Sequence, residues 1–210
     1  MNNVDLTKGH KETVKALEAS KNAFYMVKDD IFSDGLEDLL GRVSIGLVGP
    51  GSECYGYDDE ISSDHDWGIG FCIWMDPRDY EGFGKVIYGK YVESLNQKSS
   101  AGDLKMRIRR AGESFPRRIG PLDYKKFYQS IFADFTYPKT NSQWLNTRES
   151  DLSIATNGAV FIDNNKNFST IRDHLLAYYP EDIIYKKLSY HLFFLGQMIQ
   201  YNFFRSIARE

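Results

Sequence analysis

WGIGFCIWM, residues 67–75, is the stretch that decides the fold. Trp67, Ile69, Phe71, Ile73 and Met75 are apolar at every second position, and Cys72 and Trp74 make the alternate face apolar too. Side chains of a strand alternate between faces, so this run predicts a strand buried on both sides of a sheet. It is the candidate central strand. Pro77 ends it, and residues 80–95 carry the pattern of an amphipathic helix that packs on the sheet.

Outward from that strand the chain alternates helical and extended patterns. Val14, Leu17, Ala23, Phe24, Val27, Ile31 and Leu36 recur at helical spacing, and Gly35 and Gly41 punctuate the run into two helices over one sheet face. Residues 43–48 are rich in β-formers and end in Gly49-Pro50-Gly51-Ser52, strong turn chemistry that brings backbone close to a ligand. Downstream, residues 104–109 alternate, with Leu104, Met106 and Ile108 toward the core and Lys105, Arg107 and Arg109 on the other face. Residues 122–135 read as a helix, and residues 159–162 as a short strand closing on Asp163-Asn164-Asn165. Ser169 is placed to cap a helix from Thr170 that stops before Pro180. Residues 181–208 then form one long helix with Ile184, Leu188, Leu192, Leu195 and Ile199 along a single stripe. That helix has no C-terminal cap of its own, the pattern of a truncated chain or of one that pairs its last helix with a partner.

The fold class expected is α/β (α+β): a small mixed sheet flanked by helices, largely on one face, followed by C-terminal helices that wall a cleft. Residues 1–165 make the main domain with its N-terminal helices, and residues 166–210 a C-terminal helical segment.

The chain has 210 residues, 26 Lys plus Arg against 29 Asp plus Glu, 42% hydrophobic and 15% aromatic residues. That supports a full core and excludes disorder, collagen and a disulfide scaffold. A net charge of −3 argues against bulk binding of duplex nucleic acid. Residues 1–11 lack the apolar centre of a signal peptide, and no stretch has the composition of a membrane span, so a cytoplasmic protein with no membrane partner is expected. Cys54 and Cys72 show no CxxC spacing, which fits a reducing compartment and no zinc site.

Charge is unevenly spread. Residues 51–66 hold Glu53, Asp58, Asp59, Glu60, Asp64 and Asp66 with no Lys or Arg, whereas residues 104–126 carry an excess of +6. Crowded carboxylates repel one another unless a cation offsets them. Asp64 and Asp66, two apart before a strand, share one face and suit a hard divalent cation that keeps places for substrate phosphates. The Gly51-Ser52 turn offers backbone N–H groups and a hydroxyl to phosphate oxygens. Lys105, Arg107 and Arg109, if on the same face, bind triphosphate or an anionic acceptor.

Gly51-Ser52, eleven residues, then Asp64-His65-Asp66 resembles the GS…DxD signature of the polymerase-β-like nucleotidyltransferase superfamily. The wider string GSECYGYDDEISSDHDWG is more similar to an uncharacterised bacterial family of that superfamily, with GSE, a GxDD step and SxDHDWG. Residues 158–183 resemble that family as well. The resemblance implies a nucleotidyltransferase-like domain over residues 1–165, with Gly51 and Ser52 contacting phosphate and Asp64 and Asp66 binding Mg²⁺, or Mn²⁺ in its place. It implies Mg²⁺-dependent transfer of a nucleotidyl group from a nucleoside triphosphate to an unknown acceptor, which is a small molecule, a protein or an RNA end. Such enzymes usually carry a third carboxylate on the strand after the next helix. Here the central outward residue of that strand is Arg107, and Asp103 or Asp163 stands as the substitute. The alternatives are a catalytically silent nucleotide-binding or interaction module and a toxin-neutralising minimal nucleotidyltransferase.

Competing motifs fail on spacing. An EF-hand loop from Asp64 would have Gly68 fifth and Met75 twelfth, where a bidentate Glu belongs. Cys54 stands where a dinucleotide fingerprint needs its third glycine, and no Gly-Lys-Ser/Thr follows to make a P-loop. The His65-Asp66 pair of HD phosphohydrolases lies on helices, not before a strand. His174 and His191 read as packing or surface residues on helices.

Overall fold

The computed structural model describes residues 16–56, 68–102, 119–133 and 135–207. The predicted strand at residues 104–109, with Lys105, Arg107 and Arg109, lies outside them, as do Asp64, Asp66 and Asp103.

Four strands form one mixed sheet: β1 (Ser44–Leu47), β2 (Cys72–Met75), β3 (Gly120–Asp123) and β4 (Ala159–Asp163), in the order β3-β2-β1-β4. β1 runs antiparallel to β2, pairing Ser44 with Trp74 and Gly46 with Cys72, and antiparallel to β4, pairing Ser44 with Asp163 and Leu47 with Ala159. β2 and β3 are parallel, with Cys72 opposite Gly120 and Met75 opposite Asp123. A parallel pair needs a long crossover. Here it includes α3 (Pro77–Ser100).

β2 is central, as its composition predicts. Phe71, Ile73 and Met75 enter one apolar cluster with Ala23, Phe24, Val27 and Ile31 of α1 (Ala16–Ile31), Leu39 of α2 (Glu37–Leu40), and Ile87, Tyr91 and Leu95 of α3. Cys72 and Trp74 enter a second cluster on the opposite face, with Phe127 and Tyr128 of α4 (Tyr124–Phe132), Trp144 of α5 (Asn141–Asn146), Leu152 and Ala155 of α6 (Glu149–Thr156), and Phe168, Ile171 and Leu175 of α7 (Asn167–Leu176). Tyr179 and Ile183, the latter in the first turn of α8 (Glu181–Ile207), join that second cluster. Helices therefore flank both faces, where the sequence pattern had placed them largely on one. The second layer escaped as a layer because its apolar residues come from four short helices, and the pattern of one helix does not say which face of the sheet it covers.

Local chemistry accounts for the remaining differences. α3 begins earlier than its apolar pattern, with Pro77 in its first turn and the Asp76 carboxylate accepting from Arg78 N at 3.1 Å. The helix expected over residues 122–135 is present as α4, but its first two positions belong to β3. β3 ends at Asp123, which is 4% exposed and caps α4 by accepting from Lys125 N at 2.9 Å and Lys126 N at 3.3 Å. Four residues containing Gly120 and Pro121 carry no β-propensity of their own. They become a strand because β2 supplies the partner. α7 starts at Asn167 rather than at Thr170, and Ser169 acts as a donor: its N–H reaches Asp163 Oδ2 at 2.8 Å. Gly35, at φ +85°, separates α1 from α2 as expected. No helix among the described residues is long and apolar enough to cross a membrane.

The tightest aromatic contact sits on the second face. Trp74 stacks on Phe168 with centroids 3.8 Å apart and meets Phe127 edge-on at 5.6 Å, and Tyr128 stacks on Phe168 at 5.1 Å. Trp74→Ala is expected to cost about 3–5 kcal/mol, the range for emptying a core aromatic site. Urea unfolding of Trp74→Ala, Phe168→Ala and the double variant measures it. The double should lose less than the sum of the singles, because both remove the same stack.

Candidate functional site

The Gly49–Ser52 turn emerges from the C-terminal end of β1 and leads into a single 3-10 turn, Ser52–Tyr55, closed by Gly56 in the left-handed region at φ +75°. Gly51 and Ser52 are partly exposed, and Cys54 N donates to Gly51 O at 3.0 Å. Since β1 and β2 are antiparallel, the start of β2 lies beside this turn. Residues 57–67, which carry Asp64 and Asp66, connect Gly56 to Gly68 just ahead of β2 and are outside the described residues.

Two features of the turn do not follow from its sequence. Glu53, 2% exposed, folds its carboxylate back under Gly51, so that a Cβ at Gly51 would lie 2.3 Å from Glu53 Oε1. A side chain at Gly51 would therefore need the Glu53 carboxylate to move. Asn157, the residue after α6, clamps the turn from outside: its Oδ1 accepts from Gly49 N at 2.9 Å and its Nδ2 donates to Gly49 O at 2.6 Å. Next to it Gly158, at φ +61°, donates its N–H to Cys54 O at 2.8 Å. A Cβ there would meet Leu47 O at 2.0 Å. Arg172 Nη1 on α7 donates to Asn157 O at 2.8 Å, so the clamp is itself held from behind. Burial pulls the Arg172 guanidinium below its usual pKa, against the attraction of Tyr128 and Asp173. The signal for this clamp was present in the sequence, since Asn-Gly is a turn dipeptide, but its partner is 108 residues away.

Asp163 is placed elsewhere. It pairs with Ser44, the first residue of β1, while the glycine turn follows the last. Three residue steps along β1 separate those ends, about 10 Å at 3.3 Å per residue. Its Oδ1 accepts from the Ser44 hydroxyl and its Oδ2 from Ser169 N. Asp163 ties β1, β4 and α7 together. Of the predicted site residues, the structure brings Gly51 and Ser52 together and sets Asp163 apart. Asp64, Asp66, Lys105, Arg107 and Arg109 fall outside the described residues. Among the described residues no group of three or more His, Cys, Asp or Glu is placed to hold a metal ion. Both cysteines are buried thiols, with no disulfide. His174 packs between Tyr137 and Trp144, its Nε2 at 2.9 Å from Pro138 O.

The part of the chain that holds the turn is also the part with a recognisable relative. Residues 144–210 match a domain of unknown function, DUF4037. No curated protein and no solved structure matches the chain significantly. The DUF4037 match contains Asn157, Gly158, Asp163 and Arg172, whereas the turn and the acidic segment lie outside it. The DUF4037-like segment therefore acts on the candidate site as its support: α6 and α7 deliver the clamp, and β4 carries the tie at the far end.

Asn157→Ala removes both bonds to Gly49 and is expected to cost about 1–3 kcal/mol, the penalty of leaving buried backbone groups unmet. Gly158→Ala, which sets a methyl against the Leu47 carbonyl in a left-handed conformation, should cost more. Thermal melts of the two variants beside wild type give the ranking.

Proposed function

We propose that the chain is nucleotidyltransferase-like: it binds a nucleoside triphosphate at the glycine-turn end of the sheet and transfers a nucleotidyl group to an acceptor hydroxyl. The observation that carries this reading is topological. The Gly51-Ser52 turn leaves β1 at the end where antiparallel β2 begins, and the segment bearing Asp64 and Asp66 precedes β2 in the chain. The resemblance of GS…DxD to the polymerase-β-like superfamily calls for that arrangement of two neighbouring strands.

In this reading Ser52 offers its hydroxyl to a phosphate oxygen, on a turn that Asn157 and Arg172 hold in one conformation before any ligand arrives. Fixed donors need no reorganisation when charge develops on the phosphoryl oxygens. Asp64 and Asp66 are hard oxygen donors and would hold Mg²⁺ or Mn²⁺, which neutralises triphosphate charge when bound. The acceptor oxygen forms a bond to the α-phosphorus as the bond to the bridging oxygen breaks, and pyrophosphate leaves. Lys105, Arg107 and Arg109 stand as further triphosphate contacts.

A second reading, a nucleotide-binding module without catalysis, is favoured by one observation. Both oxygens of Asp163, a substitute for the third carboxylate, are engaged by Ser44 and Ser169 at the other end of β1. Calorimetry with ATP, GTP, CTP and UTP in the presence of Mg²⁺ tests what the two readings share. At least one triphosphate should bind, and Asp64→Asn with Asp66→Asn should weaken it tenfold or more; no binding, or binding unchanged in that variant, overturns both. Incubation with α-labelled triphosphates and a cell extract then separates them, since metal-dependent labelling of any acceptor excludes the silent module.

A further inference from the structure

Among the described residues, α8 presents a long apolar surface that stays exposed. Its first turns are anchored: Ile183 is buried, Asn141 Nδ2 donates to Asp182 Oδ2 at 3.1 Å, and Lys187 Nζ reaches Thr147 O, Glu149 Oε1 at 3.3 Å and the Tyr179 ring at 4.5 Å. Every residue from His191 to Arg205 is exposed. Between Ile184 and Phe204, thirteen large apolar side chains stand 38–68% exposed. At roughly 100 Å² apiece their sum exceeds the largest apolar patch of a typical monomer, about 300–600 Å², and the six along one stripe bring roughly 600 Å², near the ~800 Å² of one side of a standard interface. The helix does not meet the requirement for a membrane span.

The order of these residues selects the partner. Ile184, Leu188, Leu192, Leu195, Ile199 and Phe203 lie within an arc of about 100° at 100° per residue. Their spacing is symmetric about a point between Phe193 and Phe194. A two-fold axis there, running two copies of the helix antiparallel, sets Ile184 level with the partner's Phe203, Leu188 with the partner's Ile199, and Leu192 with the partner's Leu195. That is the self-complementarity an isologous interface demands. The same axis brings the acidic first turn, Glu181 and Asp182, level with the partner's Arg205, and it opposes the two helix dipoles. A hollow of about 220 Å³ lined by Tyr178, Tyr179, Ile184 and Leu188 opens at the root of the stripe, where the partner's Phe203 arrives.

We propose that α8 is a homodimerisation helix, pairing antiparallel with α8 of a second copy about an axis between Phe193 and Phe194. This inference is independent of any nucleotide chemistry. Sedimentation equilibrium of the chain at micromolar concentrations should give the mass of two chains, and Leu195→Glu or Leu192→Glu, next to the axis, should reduce it to one without loss of helical circular dichroism. The register has its own test. Leu188→Cys and Ile199→Cys chains, mixed and oxidised, should form a cross-linked heterodimer, while neither alone cross-links, because copies of the same position lie about 16 Å apart along the antiparallel axis. A monomeric wild type overturns the proposal, as does a dimer unchanged by both glutamate variants. Self-cross-linking of the Leu188→Cys chain alone, or association with phosphatidylcholine vesicles in place of dimerisation, overturns it as well.

Discussion

The fold depends on one strand being buried on both faces. Phe71, just ahead of β2, and Ile73 and Met75 within it enter the layer of α1–α3, and Cys72 and Trp74 enter the layer of α4–α7. A strand so placed has no solvent side, and a one-residue slip would exchange the two sets. Register is thereby set for the whole sheet, because β1 and β3 both pair with β2, and β4 pairs with β1. The Trp74–Phe168 stack extends the constraint to the C-terminal part, joining α7 directly to the central strand.

The same packing positions the candidate site. With α7 docked through Phe168 and Ile171, Arg172 faces the end of α6 and holds Asn157, and Asn157 holds Gly49. The turn after β1 is then fixed by residues more than a hundred positions away, within the segment that matches DUF4037. Asp163 does a comparable job at the other end of β1, where Ser44 and Ser169 engage both of its oxygens. Two polar residues of the DUF4037-like segment, one just after α6 and one at the end of β4, thus brace one strand at its two ends, which is a structural reason for that segment to accompany a turn it does not contain.

α8 behaves differently along its length. Its first turns belong to the core through Ile183 and to the α5–α6 link through Lys187, whereas its residues from His191 to Arg205 are exposed. Folding of the domain and association through the helix are then separable properties, governed by different residues of one continuous element.

Much of this was legible along the chain. The alternation at residues 67–75, the glycine turn after residues 43–48, the short strand before Asp163 and the long last helix are all local patterns, and local patterns survive without tertiary context. What escaped has a common physical cause. β3 has Gly120 and Pro121 in place of β-formers, and it is a strand because β2 lies beside it. The second helical layer is assembled from four short helices, and which face of the sheet each covers is set by docking and not by its own pattern. The role of Asn157 depends on a contact across 108 residues, and that of Gly51 on where Glu53 folds. The sequence by itself determined the central strand, the chemistry available at the turn and acidic segment, and the apolar stripe of α8. Only the tertiary structure decided which residues hold the turn and that Asp163 stands at the opposite end of β1, because both depend on strand register and helix docking, which are properties of pairs of segments and of neither alone.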